Sequence, residues 1–126
     1  MNKEHEKIAS RYLFTDMAIT KLQLDRNHLE YSQCKIKEPY FQALDQLIST
    51  AIQERKRLKQ LMYQHKIQVE HINSDRLFST YKYYLNGYVH EVSFFNPIIK
   101  NNVTSIIYEL ITKTTYLDKP NDISTK

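Results

Sequence analysis

The stretch Leu77-Phe78-Ser79-Thr80-Tyr81-Lys82-Tyr83-Tyr84-Leu85-Asn86-Gly87-Tyr88-Val89-His90-Glu91-Val92-Ser93-Phe94-Phe95 decides how the fold is read. Its residues Leu77, Phe78, Tyr81, Tyr84, Leu85, Tyr88, Val92 and Phe95 recur at helical spacing. With Asn73-Ser74-Asp75 as its cap, the spacing predicts an amphipathic helix over 75–95. Asn86-Gly87 holds the one glycine of the chain and is a dipeptide that often marks a turn. Either the helix ends at Asn86 with Gly87 in the left-handed position after it, or it runs through at a cost of about 1 kcal/mol. The stripe resumes at Tyr88, Val92 and Phe95, which favours the continuous helix. A second line, Tyr83, Gly87, His90 and Phe94, then falls on another side and is the candidate interface with a partner or a second subunit.

Working outward, two helical patterns precede this stretch and one follows it. Over 4–33, Ile8, Tyr12, Ile19, Leu22 and Leu29 form a stripe that Leu13, Met17, Leu24 and Tyr31 widen. Over 39–64, Pro39 sits at a first-turn position, and Phe41, Leu44, Leu47, Ile48, Ala51, Ile52, Leu58, Leu61 and Met62 make the clearest stripe in the chain. The short break between these two helices predicts an antiparallel hairpin centred near Lys35 and Ile36. Folding about that centre sets Asp16 opposite Arg55 and Arg26 opposite Asp45; at least one pair is expected to form and, if partly buried, to specify alignment more than it stabilises. Residues 65–73 read as an extended link in which Ile67, Val69 or Ile72 plugs the end of the bundle. Asn96-Pro97 opens a last helix over 97–116, with Ile99, Val103, Ile106, Ile107, Leu110 and Ile111 on its apolar face.

The expected architecture is therefore all-α, a four-helix bundle-like single domain over 1–116 with a flexible tail at 117–126. One glycine and three prolines in 126 residues support it, because β-rich chains ordinarily use more turn formers. Hydrophobic residues at 41% and charged residues at 25% fit a chain that buries a real core. The single cysteine, Cys34, excludes an intramolecular disulfide, and the charged start Met1-Asn2-Lys3-Glu4-His5-Glu6-Lys7 lacks the apolar run of a signal peptide. No run of apolar residues reaches membrane-spanning length. A cytoplasmic location is the expectation.

Chemistry-bearing patterns are sparse. The histidines at 5, 28, 65, 71 and 90 lack metal-ligand spacing: Asp25-Arg26-Asn27-His28 has no second copy, and His90-Glu91 is followed by Phe94 where a zinc-protease helix needs histidine. Cys34 has no identifiable base, and one glycine cannot build a phosphate-cradling loop. No cofactor and no catalytic residue are expected. The run Arg55-Lys56-Arg57-Leu58-Lys59, with His65 and Lys66 beyond it, gives a candidate basic patch of Lys56, Arg57, Lys59 and Lys66. Positive charge at the end of a helix also offsets the macrodipole, which explains the run without a ligand.

Lys37-Glu38-Pro39-Tyr40, Gly87-Tyr88 and Phe95-Asn96-Pro97 together resemble a family of small uncharacterised proteins of Bacillus-type bacteria and their mobile elements. The resemblance spans about Lys37 to Ile111 and implies an all-helical fold without an agreed activity. The leading expectation is a non-catalytic helical protein that binds an unknown protein partner, as a homodimer in one form of the reading. A weakly basic nucleic-acid-associated regulator is the alternative, and a metal- or small-molecule-binding bundle the third.

Overall fold

Two arginine–carboxylate pairs set the register of the first two helices, α1 (Lys3–Glu30) and α2 (Glu38–His65). Arg26 donates to both carboxylate oxygens of Asp45, at 2.6 and 3.2 Å, and Arg55 donates to Asp16 at 2.7 Å. Both expected pairs form, and they run the hairpin antiparallel about the centre read from the sequence. All four side chains remain partly in water, so the pairs choose an alignment while the stripes between them supply the stability. The guanidinium of Arg26 also lies 4.7 Å over the ring of Phe41. Pro39 occupies the first turn of α2 as expected. The helix ends at Lys66, whose φ of 56° is left-handed and whose N–H returns to the carbonyls of Met62 and Tyr63.

Beyond Lys66 the computed structural model, which describes residues 3–118, corrects the all-α expectation. The link at 65–73 and the helix at 75–95 are replaced by three strands, β1 (Ile67–Ser74), β2 (Phe78–Leu85) and β3 (Tyr88–Phe95), paired antiparallel in that order. The molecule is α+β, not a four-helix bundle. Asn86 at φ 52° and Gly87 at φ 93° form the two-residue turn of the β2–β3 hairpin, with Leu85 opposite Tyr88. Two successive positive φ values match the right-handed twist of the flanking strands, and Asn-Gly is the dipeptide that adopts them at least cost. Neither helical reading of Gly87 survives.

The other strand connection uses no glycine. Asp75 Oδ1 accepts the N–H groups of Leu77 and Phe78 at 2.8 and 2.7 Å, and the Asp75 N–H donates to the Phe78 carbonyl at 2.8 Å. The capping chemistry expected of Asn73-Ser74-Asp75 is present, but it closes a turn instead of a helix. Asn96 secures this turn from the far end of the meander. Its Nδ2 donates to the carbonyls of Asp75 and Arg76, its N–H donates to that of Leu77, and its Oδ1 accepts from Ser79. The last helix, α3 (Asn96–Asp118), starts there, so residues 117 and 118 of the expected tail are helical and the rest of it lies outside the described residues.

Burial alternates along β2: Ser79, Tyr81, Tyr83 and Leu85 turn inward and Phe78, Thr80, Lys82 and Tyr84 outward. The inner face closes on α1 and α2 through Ile67, Tyr81, Tyr83 and Leu85, joined in one core with Phe14, Ala18, Ala51, Met62, Ile106 and Leu110. Ile67 is buried and Val69 partly so, whereas Ile72 is exposed. Each large aliphatic or phenylalanine side chain buried in this way contributes roughly 1.5–3 kcal/mol.

One charged residue lies within the helical layer. The Glu54 carboxylate is only 3% exposed, yet it receives Arg11 of α1 at 2.9 Å, Arg57 one turn on at 3.0 and 2.9 Å, and Lys113 of α3 at 3.8 Å. Arg11 continues to Glu109 of α3 at 3.0 Å. The hydrogen bonds from Arg57, seconded by those from Arg11, outweigh desolvation and hold the carboxyl at about 2 in place of the ordinary 4.5. A depressed carboxyl stabilises the fold fully above its unfolded value, and that stability is lost as pH falls from about 4.5 towards about 2. Glu54→Gln, which leaves three cations facing one another, is expected to cost about 3 kcal/mol at neutral pH. Urea midpoints followed against pH will show the gap between variant and wild type closing over that acid window; parallel profiles would exclude Glu54 as the organising charge.

Candidate functional site

The residues expected to form an interface divide between the core and a turn. Tyr83 is 0% exposed, and its hydroxyl shares a 2.8 Å hydrogen bond with Ser10 of α1. His90, its cross-strand partner, sets Nε2 3.0 Å from Glu6, also of α1. Phe94 packs edge-on against Phe14 at 5.3 Å. These three do share a face, because positions on paired strands replace the helical spacing, but that face is turned inward and closes the sheet onto α1. Gly87 lies apart in the hairpin turn, with open space where a Cβ would stand. The four expected interface residues therefore do not share one outward surface: Tyr83 is buried, His90 and Phe94 are half-buried against α1, and Gly87 stands apart. A cleft of about 290 Å³ remains between α1 and the sheet, lined by Glu6, Lys7, Ser10, Tyr83, Val92 and Phe94.

The opposite face of the sheet is open. Cross-strand pairing arranges it in rows: Phe78 beside Phe95, Thr80 beside Ser93, Lys82 between Glu70 and Glu91, and Tyr84 between Gln68 and Val89. The rings of Phe78 and Phe95 lie 5.7 Å apart while 45% and 43% exposed, and Val89 is 58% exposed. Thr80 and Ser93 share a hydrogen bond of 2.8 Å, and the Tyr84 hydroxyl donates to Glu70 at 2.7 Å. Leu77, exposed in the β1–β2 turn, extends the apolar end of the surface. Aromatic side chains left in water on an ordered sheet are a feature of contact surfaces. The period-two alternation and the Asn-Gly separation were the signals in the sequence that point to this face.

The basic run is sorted by residue type. Arg55 is committed to Asp16 and Arg57 to Glu54, so Arg57 belongs to the structural network and leaves the patch. Lys56, Lys59 and Lys66 have no ion-pair partner among the described residues. Lys56, Lys59 and Tyr63 follow one stripe of α2 at spacings of three and seven from Lys56, Tyr63 is 88% exposed, and Lys66 stands just past the end of the helix at its left-handed cap. Lys59, Tyr63 and Lys66 line a cleft of about 790 Å³ whose far wall includes Tyr12, Tyr84 and Gly87. Two unpaired ammonium groups and three phenol rings suit an anionic ligand with flat, stackable parts.

The remaining chemistry-bearing residues serve the frame. Cys34 is exposed in the α1–α2 connection and donates to the Ile36 carbonyl. His71, Ser74, Ser79 and Asn96 form a hydrogen-bonded chain that braces the β1–β2 turn. Among the described residues no three histidine, cysteine, aspartate or glutamate side chains converge as metal ligands. None of the helices among them is long and apolar enough to cross a membrane.

The fold defines a class: a helical hairpin braced by a third helix and faced on one side by a three-stranded antiparallel meander, whose outer face is free. Residues 1–115 match the family model described as YhjD protein, and the chain belongs to that family. It is similar to a protein of Bacillus subtilis (strain 168) described as uncharacterized protein YhjD, with 27% identity over 107 residues, covering 85% of this chain and 89% of that one. No solved structure matches. The Bacillus-type family inferred from the short motifs is the right one, while the all-helical fold attached to it is not: Gly87-Tyr88 leaves a hairpin turn and Phe95-Asn96-Pro97 joins a strand to a helix.

Burial raises the Tyr83 hydroxyl to about 12, with Glu6 and Tyr81 adding to the rise and the Ser10 hydrogen bond opposing it. A raised group stabilises the fold below its unfolded value, here 10.0, and that stability is lost as pH climbs through about 12. In a spectrophotometric titration one of the ten tyrosines is expected to ionise last, together with unfolding. Tyr83→Phe should remove that step and soften the alkaline fall in stability; an unchanged profile would count against the assignment.

Proposed function

We propose that the protein works by binding another protein across the outer face of its sheet, without catalysis, in the cytoplasm. One observation carries the reading: Phe78, Phe95 and Val89 stand in the open on a face of a paired meander whose reverse side packs on α1. The inner aromatic residues complete the core, so those on the outer face are not needed for it. The exposed thiol of Cys34 suits a reducing compartment. Site-specific crosslinking in the native cell tests this. A photoreactive residue at Lys82 is expected to capture a protein, and one at Tyr108, exposed on α3, is not. Phe78→Glu with Phe95→Glu should abolish the Lys82 product while costing about 1 kcal/mol or less in stability, the range of one cross-strand pair. Equal capture at both positions would overturn the reading.

A second reading is favoured by the lysine stripe: single-stranded nucleic acid lying along α2, its phosphates on Lys56, Lys59 and Lys66 and a base on Tyr63. Its support is that these lysines are unpaired while the neighbouring arginines are not. Replacing all three lysines by glutamate should lower the salt slope of single-strand binding by about 2. Retention on a heparin or single-stranded DNA column that does not change would remove this reading.

A further inference from the structure

Resting on the protein-binding reading, we propose that the occupant of the outer sheet face is a second copy of this chain, packed about a two-fold axis that runs parallel to the strands between β2 and β3. The face is complementary to itself in that arrangement, which alone also pairs Phe78 with Phe95. A rotation about such an axis keeps every row at its own level and lays β2 of one copy over β3 of the other. Phe78 of each copy then meets Phe95 of the other, Thr80 meets Ser93, Lys82 meets Glu91, and Tyr84 meets Val89, each contact occurring twice. Aromatic meets aromatic, hydroxyl meets hydroxyl, and cation meets anion.

The competing axes leave either charges or aromatic rings without a partner. An axis along β2 sets Lys82 against Lys82. An axis between β1 and β2 turns Lys82 to Glu70, which already accepts the Tyr84 hydroxyl at 2.7 Å, and leaves Phe95 beyond the overlap. An axis across the strands, between the second and third rows, reverses their order and lays Lys82 and Glu91 over Thr80 and Ser93, so both charges lose their partners. Two sheets in contact sit about 10 Å apart with their strands nearly aligned, which the unobstructed face permits.

The size of the surface sets the strength. Two overlapping strands of eight residues at about 3.4 Å each make a strip about 27 Å long. With neighbouring strands about 4.8 Å apart the strip is about 10 Å wide, roughly 270 Å² of face per copy, well below the ~800 Å² per partner of a standard interface, so the dimer is weak and its population rises with concentration.

The test uses the full chain in sedimentation equilibrium over a range of concentrations. Wild type is expected to associate reversibly. Lys82→Glu alone and Glu91→Lys alone should each weaken self-association at least about tenfold, because like charges then face one another twice. The two variants mixed should form a heterodimer at least as tight as wild type, since every facing pair is again opposite in sign. Thr80→Arg, which keeps the charged row intact, should also abolish the dimer by bulk and serves if a charge variant fails to fold. A wild type that stays monomeric at every concentration, a dimer indifferent to these changes, or variants that do not recover on mixing would each overturn the proposal. The Lys82 crosslink separates the two readings: capture of a different protein by a monomeric chain sinks the dimer and keeps the protein-binding surface.

Discussion

A carboxylate buried among three helices can stay ionised only if cations come to it, and that constraint organises the helical layer. Glu54 draws Arg11 from α1 and Lys113 from α3 while Arg57 closes the cage from its own helix. The pairings specify which helix lies beside which and at what height, a choice that apolar stripes alone leave loose, because leucine and isoleucine pack acceptably in several registers. Arg26 with Asp45 and Arg55 with Asp16 repeat this logic at the solvent edge of the hairpin, where they cost little to form and add direction instead of strength. With α1 and α2 locked, the chain leaving Lys66 has a fixed starting point, and the meander can close only onto the surface that α1 and α2 offer it.

That closure determines which side of the sheet is spent and which is free. Tyr83 must find a partner for its hydroxyl once its ring is buried, and Ser10 supplies it. His90 reaches Glu6, and Phe94 reaches Phe14. Because strand side chains alternate, fixing these inward residues commits Phe78, Lys82, Tyr84, Val89, Glu91 and Phe95 to the opposite side. The composition of the outer face is thus a choice independent of the core, and its rows of aromatic, hydroxyl and charged residues brace the strands to one another while leaving their outer sides open.

The helical part was legible because its signals were redundant. The stripes of α1, α2 and α3, the prolines at 39 and 97 and the complementary charges at 16, 26, 45 and 55 all point to the same helices and the same hairpin. Glu54 was legible in principle, since it falls in phase with Leu47, Ala51, Leu58 and Met62, where a charged residue signals a buried partner. The sheet was not, for two reasons. Tyrosine and phenylalanine occupy both of its faces, so a count of apolar positions sees Leu77, Tyr81, Tyr84, Leu85 and Tyr88 as one helical stripe and misses the alternation. Scarcity of glycine also argued against strands, yet a three-stranded meander has only two turns, and Asp75 builds one of them with its side chain. Asn86-Gly87 was the decisive dipeptide: two residues between two aromatic runs is a hairpin length, and both φ values are positive.

The basic run shows why composition alone could not name a partner. Its arginines went to carboxylates, as expected of a planar group that binds them in fixed geometry, and its lysines remained in water along one stripe. What the run offers a ligand is therefore two charges on the last turns of α2 and a third just past its end, not a dense patch. This stripe and the outer sheet face meet at Tyr84, which stands in the sheet's last row and also lines the lysine cleft. A dimer overlapping only β2 and β3 leaves β1 and α2 uncovered. The Lys59, Tyr63 and Lys66 side of the cleft then stays open in each copy while its Tyr84 wall packs against the other copy, and the two-fold axis presents those lysines twice. Self-association and anion binding are accordingly compatible, and a polyanion long enough to reach both clefts would bind the dimer more tightly than the monomer, coupling the two properties through geometry without any change of shape.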